Sequence, residues 1–144
     1  MLSGRSVISE LARFSVSINL DLLRKFDRQI LAEHYPNRSK AIEDLIRNSL
    51  VKKQWIEGEE VAGAIILVFD HHKRNLTNRL THIQHDYHQQ IISTQHIHLD
   101  HDYCLEVVVV KGKPDEIVAL ADKLRAVKGI KHGSLAMTTT GKGV

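Results

Sequence analysis

The sequence predicts an α+β chain of two small domains, a strand-helix-helix front and a β-α-β-β-α-β back. Three observations lead there. Apolar residues alternate with period two over residues 13–18 and then recur at helical spacing as far as Leu50. A hydrophilic turn, Glu57-Gly58-Glu59-Glu60, interrupts that pattern. Beyond it, apolar runs of strand character alternate with two amphipathic stretches. A length of 144 residues accommodates two very small domains and excludes a large multidomain enzyme.

Residues 1–11 show no clear period and read as a loose arm, in which Ser3, Arg5 and Ser6 are possible phosphate contacts. The front domain spans 12–56. In its strand, Phe14, Val16 and Ile18 point one way and Arg13, Ser15 and Ser17 the other. Asn19 is suited to cap a first helix carrying Leu22, Leu23, Phe26, Ile30 and Leu31, which ends at the turn His34-Tyr35-Pro36-Asn37. Asn37 or Ser39 caps a second helix with Ala41, Ile42, Leu45, Ile46 and Leu50 on its inner face. A lone strand leaves its ladder donors and acceptors unpaired, so this one needs a partner from a second chain. Two copies paired antiparallel form a ribbon with six polar side chains outward. Such a ribbon fits the major groove of B-DNA, which makes Arg13, Ser15 and Ser17 candidate base readers.

The back domain spans 61–139. Residues 61–70 are a continuous apolar run suited to a central strand, and Leu76, Leu80, Ile83 and Tyr87 follow at helical spacing. Residues 94–99 and 103–110 form an antiparallel pair across the turn Asp100-His101-Asp102. Pro114 opens a helix with Ile117, Leu120, Ala121 and Leu124 inward and Gly129 past its end, and residues 130–138 supply a last strand. This order is the split βαβ, ferredoxin-like pattern, with both helices on one face of an antiparallel sheet.

Charge divides the chain the same way. Residues 1–55 carry ten Lys/Arg against six Asp/Glu, net +4, and residues 56–144 ten against eleven, net −1, which suits a front domain facing an anionic partner such as nucleic acid. Eight of the ten histidines lie between His71 and His101. No stretch approaches the roughly 20 apolar residues of a membrane helix and the N-terminus lacks a secretory pattern, so a cytoplasmic location without membrane attachment is expected. The single cysteine, Cys104, cannot form an intrachain disulfide.

His96 and His98 stand two apart on a strand and share a face, and Cys104 follows on the neighbouring strand, so two imidazoles and a soft sulfur can converge on an ion. His85, eleven residues before His96, is a possible fourth donor. His71, His72, His82, His88, His101 and His132 read as surface residues or weak secondary sites, and His34 as bland. Spacing alone serves a planar Ni(II) or Cu(II) site and a tetrahedral Zn(II) site equally. Four protein donors leave little room for a reacting water, so catalysis is not expected.

The front segment, with Arg13-Phe14-Ser15-Val16-Ser17-Ile18 and the turn Asn37-Arg38-Ser39-Lys40-Ala41-Ile42, resembles the ribbon-helix-helix DNA-binding family. There the second helix's N-terminus anchors a phosphate, a role that falls to Asn37, Arg38 and Ser39. With Gln84-His85 and Thr94-Gln95-His96-Ile97-His98-Leu99-Asp100-His101-Asp102-Tyr103-Cys104-Leu105-Glu106, the chain from residue 12 to about 138 resembles the nickel-responsive transcriptional regulators, the NikR family, which join such a domain to an ACT-like, ferredoxin-fold domain. The resemblance implies a square-planar Ni(II) site formed by His96, His98 and Cys104 of one subunit and His85 of another at a tetramer interface. Glu106 would help orient the ligands. It further implies a repressor, a homotetramer built as a dimer of dimers, that grips a palindromic operator in double-stranded DNA when nickel is bound. Lys73 and Arg74 are candidates for nickel-gated phosphate contacts. The competing readings are a metal storage or delivery protein and a regulator responding to another divalent metal.

Overall fold

The computed structural model describes residues 10–144; the contacts expected of Ser3, Arg5 and Ser6 lie outside the described residues. Among the described residues there are four helices and four strands, α1 Leu20–Ala32, α2 Arg38–Glu57, β1 Val61–Asp70, α3 Leu76–Asp86, β2 Ile91–His98, β3 Tyr103–Gly112, α4 Pro114–Arg125 and β4 Ile130–Thr138. The chain divides into two compact units, with the boundary between Glu43 and Asp44.

In the first unit, residues 12–18 form no strand within the single chain, and both alternating sets of side chains are exposed, Phe14 to 70% and Val16 to 63%. That is the state of a ladder strand without a partner. Asn19 caps α1, its side-chain oxygen accepting from the amides of Asp21 and Leu22 at 2.8 and 3.2 Å. The helix ends where His34 takes the left-handed conformation at φ 60°, letting the His34 amide reach Leu31 O and the Tyr35 amide reach Ile30 O. Asn37, rather than Ser39, caps α2 by accepting from the Lys40 amide at 2.9 Å. Arg38 forms a two-pronged pair with Asp27 of α1, both bonds 2.7 Å, and this hydrogen bonding holds the Asp27 carboxyl below its usual range.

The second unit is built on an antiparallel sheet in the order β2-β3-β1-β4. Strict alternation along β1 places Val61, Ile65, Leu67 and Phe69 inward, where they meet Val108 and Val110 of β3, Leu76 and Leu80 of α3, and Ile117, Leu120 and Leu124 of α4. Both helices therefore cover one face of the sheet, which is the ferredoxin-like, ACT-like arrangement expected of the sequence. The other face of β1, with Ala62, Ala64, Ile66 and Val68, is half-buried although apolar.

The C-terminal part of α2 belongs to this unit because the tail of the chain holds it there. Trp55 donates its indole N–H to Thr138 O at 2.8 Å, and buried Gln54 donates to Lys142 O at 2.7 Å while accepting from Thr139 Oγ1 at 2.9 Å. The hydrophilic turn at 57–60 ends the helix, with Gly58 at φ 78°, but does not divide the compact units. β2 begins at Ile91, three residues before its expected start at Thr94; its outer-edge position exposes most side chains and blurs the burial pattern from which strands are read. No helix among the described residues is long and apolar enough to cross a membrane.

Candidate metal centre

Pairing of β2 with β3 sets the site. His98 stands opposite Cys104 and His96 opposite Glu106, and residues paired across a ladder project from the same side, here the side covered by the helices. Phe69, on β1, is the other ladder neighbour of Cys104, which is fully buried. His98 Nδ1 lies 3.3 Å from Cys104 Sγ.

A further imidazole lies against the same sulfur. His71 follows the last residue of β1, its amide donating to Asp102 O at 3.2 Å, and its Nδ1 lies 3.4 Å from Cys104 Sγ. The rings of His71 and His98 meet edge-on at 85°, with centroids 5.4 Å apart. One donor atom from each of His71, His98 and Cys104 falls within 4.8 Å of the others. Sequence reading placed His71 among the surface histidines. Its signal was available only through the pairing of β1 with β3, which sets Asp70 opposite Tyr103 and so brings the residue after Asp70 beside Cys104.

His96 stands next to the cluster, its ring centroid 5.2 Å from that of His98 and packed edge-on against Phe69. Its Nδ1 lies 3.4 Å from an oxygen of Glu106, a carboxylate only 5% exposed. An Nδ1–H bonded to a carboxylate leaves Nε2 as the lone-pair nitrogen, the tautomer a metal ligand needs. The other oxygen of Glu106 accepts from the Gln84 side-chain amide, and Gln84 in turn accepts from Thr94 Oγ1 at 2.8 Å. Thus α3, β2 and β3 are tied together behind His96. His85, in the last turn of α3, is exposed and outside the cluster; its carbonyl oxygen lies 3.0 Å from His88 Nδ1.

The donor set suits a borderline metal. For metal–nitrogen bonds of about 2.0 Å and metal–sulfur bonds of about 2.3 Å, neighbouring ligand atoms sit roughly 3 to 3.5 Å apart, and the two sulfur–nitrogen separations fall in that interval. Burial, reinforced by the carboxylates of Asp100, Glu106 and Asp70, pushes the Cys104 thiol above its ordinary range. The sulfur therefore keeps its proton until a cation displaces it.

Of the expected DNA-facing residues, Arg13, Ser15, Ser17, Asn37 and Ser39 are exposed. Arg38 is exposed as well but spends its guanidinium on Asp27. Lys73 and Arg74 are exposed in the turn before α3 rather than in its first turn.

Residues 62–138 match the family model of the NikR C-terminal nickel-binding domain, and residues 12–53 match that of the ribbon-helix-helix protein, copG family. A protein of Syntrophus aciditrophicus named as a nickel-responsive regulator is 54% identical over 135 residues, covering 94% of this chain and 98% of its own length. One so named in Chlorobium limicola is 53% identical over 134 residues, covering 93% of this chain and 100% of its own length. The chain belongs to the nickel-responsive regulator family. An uncharacterised protein of Thermotoga maritima, 16% identical, superposes with a TM-score of 0.50 over 55% of this chain and 98% of its own length and shares the fold. As a nickel-responsive transcriptional regulator the chain takes Ni(II) as its cofactor and binds DNA through its ribbon-helix-helix domain; the family is one of regulators, not of enzymes.

Proposed function

We propose that this nickel-responsive regulator is a cytoplasmic repressor working as a homotetramer, a dimer of dimers, on a palindromic operator. Its ribbon-helix-helix domain is assigned to 12–56 and its metal-binding, tetramerising domain to 61–139. The nickel ligands are His96, His98 and Cys104 of one subunit and His85 of a second, giving an interfacial site. The observation that carries this reading is the placement of the four: His98 and Cys104 converge, His96 stands beside them anchored by Glu106, and His85 is turned out of the cluster and free to serve another copy. Half-buried Ala62, Ala64, Ile66 and Val68 on the sheet's uncovered face support association through the second unit, and exposed Phe14 and Val16 support it through the first.

Nickel held by His96, His98 and Cys104 of one subunit and His85 of another would link the two subunits. The chain does the rest. His85 draws α3 toward the shared site, and the turn before α3 then holds Lys73 and Arg74 where they reach DNA phosphates. Arg13, Ser15 and Ser17 read base edges from the paired ribbon, while Asn37, Arg38 and Ser39 at the start of α2 set the domain on the backbone. Arg38 does so by sharing its guanidinium with Asp27 or releasing it. Glu106 acts through His96, so Glu106→Ala is expected to weaken nickel binding by about 10- to 100-fold while the sulfur-to-nickel absorption persists, measured by chelator competition. Unchanged affinity would remove Glu106 from the site's support.

Selection of bound sequences from random DNA by gel shift, repeated with each divalent metal, tests the whole reading. A palindromic consensus recovered with Ni(II), bound roughly 5- to 150-fold more tightly than without metal, is the expected result. Recovery of no consensus with any metal would favour a storage or delivery protein, and a consensus strongest with another ion would reassign the inducer.

A further inference from the structure

The turn after β1 and the turn joining β2 to β3 bring together a second set of donors, outside the Cys104 cluster. We propose that His72, His101 and Asp102 form a surface site for a divalent transition-metal ion, with two imidazoles and one carboxylate as its protein ligands. One donor atom from each lies within 4.8 Å of the others. His101 Nδ1 is 3.1 Å and His72 Nε2 3.7 Å from the same oxygen of Asp102, and the two rings lie 5.4 Å apart, tilted by 33°. With bonds of about 2.1 Å, ligand atoms around a four- to six-coordinate ion are roughly 3 Å apart, so His101 and Asp102 already stand at ligand spacing and the exposed His72 ring must move in by about 0.7 Å or more.

Hydrogen bonds outside the donor set hold the backbone of both turns. Asp70 Oδ1 accepts from the His72 amide at 2.9 Å, and the His71 amide donates to Asp102 O at 3.2 Å, fastening one turn to the other. Asp100 Oδ1 accepts from the amides of Asp102 and Tyr103, both at 2.8 Å, which fixes the strand-joining turn. These bonds engage Oδ1 of Asp70 and of Asp100 in holding the turns, while Asp102 Oδ1 faces the two rings. The competing demand on His72 is one contact, Nε2 to His101 O at 3.2 Å, which a small ring rotation gives up.

The chemistry of this site differs from that of the first. It has no thiolate, all three side chains are exposed, and water fills the positions the protein leaves open. It therefore takes Ni(II), Zn(II), Co(II) or Cu(II) with lower affinity and faster exchange than the Cys104 centre. The two sites meet at the dipeptide His71-His72, whose rings lie 4.0 Å apart with one ring in each cluster.

Equilibrium dialysis of the untagged full-length chain against Ni(II), and separately against Zn(II), counts the ions. Two per chain are expected, the second at least tenfold weaker. In His72→Ala/Asp102→Ala the count falls to one while the sulfur-to-nickel absorption is unchanged, and His101→Ala reproduces that result as an independent variant. Cys104→Ala, conversely, loses the absorption and keeps the weaker ion. One ion per chain in the unmodified protein, or two retained in the double variant, would overturn the proposal without touching the assignment of the Cys104 centre.

Discussion

Cys104→Ala is expected to erase the sulfur-to-nickel charge-transfer absorption, weaken nickel binding by roughly a hundredfold or more, and with it abolish nickel-dependent DNA binding. Cys104 is the single soft donor of the cluster, and His98 Nδ1 and His71 Nδ1 lie within 3.4 Å of its sulfur. The substitution removes one buried sulfur beside Phe69 and costs about 1 kcal/mol of packing, so circular dichroism of the variant should match that of the parent. A retained absorption band would exclude the thiolate as a ligand. The pH dependence follows from the same atom. Its thiol is pushed up by burial and by neighbouring carboxylates, so the metal-free chain carries the proton at neutral pH and binding must expel it. Loss of one proton on binding makes the affinity rise about tenfold per pH unit below the thiol's own titration. Affinities measured by competition between pH 6 and 8 check this; a flat profile would mean that the sulfur is not bound as thiolate.

Most of the back domain was legible because its signals are local. Alternation along β1, Pro114 at the first position of α4 and Gly129 beyond its end each mark an element by its own residues. The strand at 130–138 was placed in the same way and stands at Ile130–Thr138. Harder to read was whatever depends on chain segments meeting. His71 enters the cluster only because β1 lies beside β3, although His71 and Cys104 are 33 residues apart, and no periodicity near His71 reports that. The Asp27–Arg38 pair likewise requires α1 and α2 to fold back on each other across the His34 turn, so the sequence, from which Arg38 is read as a phosphate contact, does not report it. Residues 12–18 show the opposite case. Their alternation is plain in the sequence, yet one chain supplies no ladder for them, and Phe14 and Val16 stand exposed.

Arg13→Ala is expected to remove most of the operator preference proposed for residues 12–18. Arg13, Ser15 and Ser17 alternate with the apolar set, so pairing two copies through residues 12–18 turns all three to one outer face. Among them arginine alone can make two hydrogen bonds to one guanine edge, and each such contact is worth roughly 1 to 3 kcal/mol of discrimination. A ribbon of two chains loses two contacts at once, which amounts to roughly 30-fold or more in the ratio of operator to scrambled DNA. Nickel binding, centred on Cys104 and His98 in the other compact unit, should be unchanged in affinity and absorption. Lys73→Ala provides the contrast. A phosphate contact carries no sequence information, so its loss should weaken operator and scrambled DNA alike and flatten the dependence of affinity on salt. Both variants are read from titrations on the two DNAs at several salt concentrations. If Arg13→Ala keeps the parent's operator preference, base reading belongs to another surface and the ribbon only positions the protein; if Lys73→Ala alters the preference itself, the turn before α3 reads sequence rather than backbone charge.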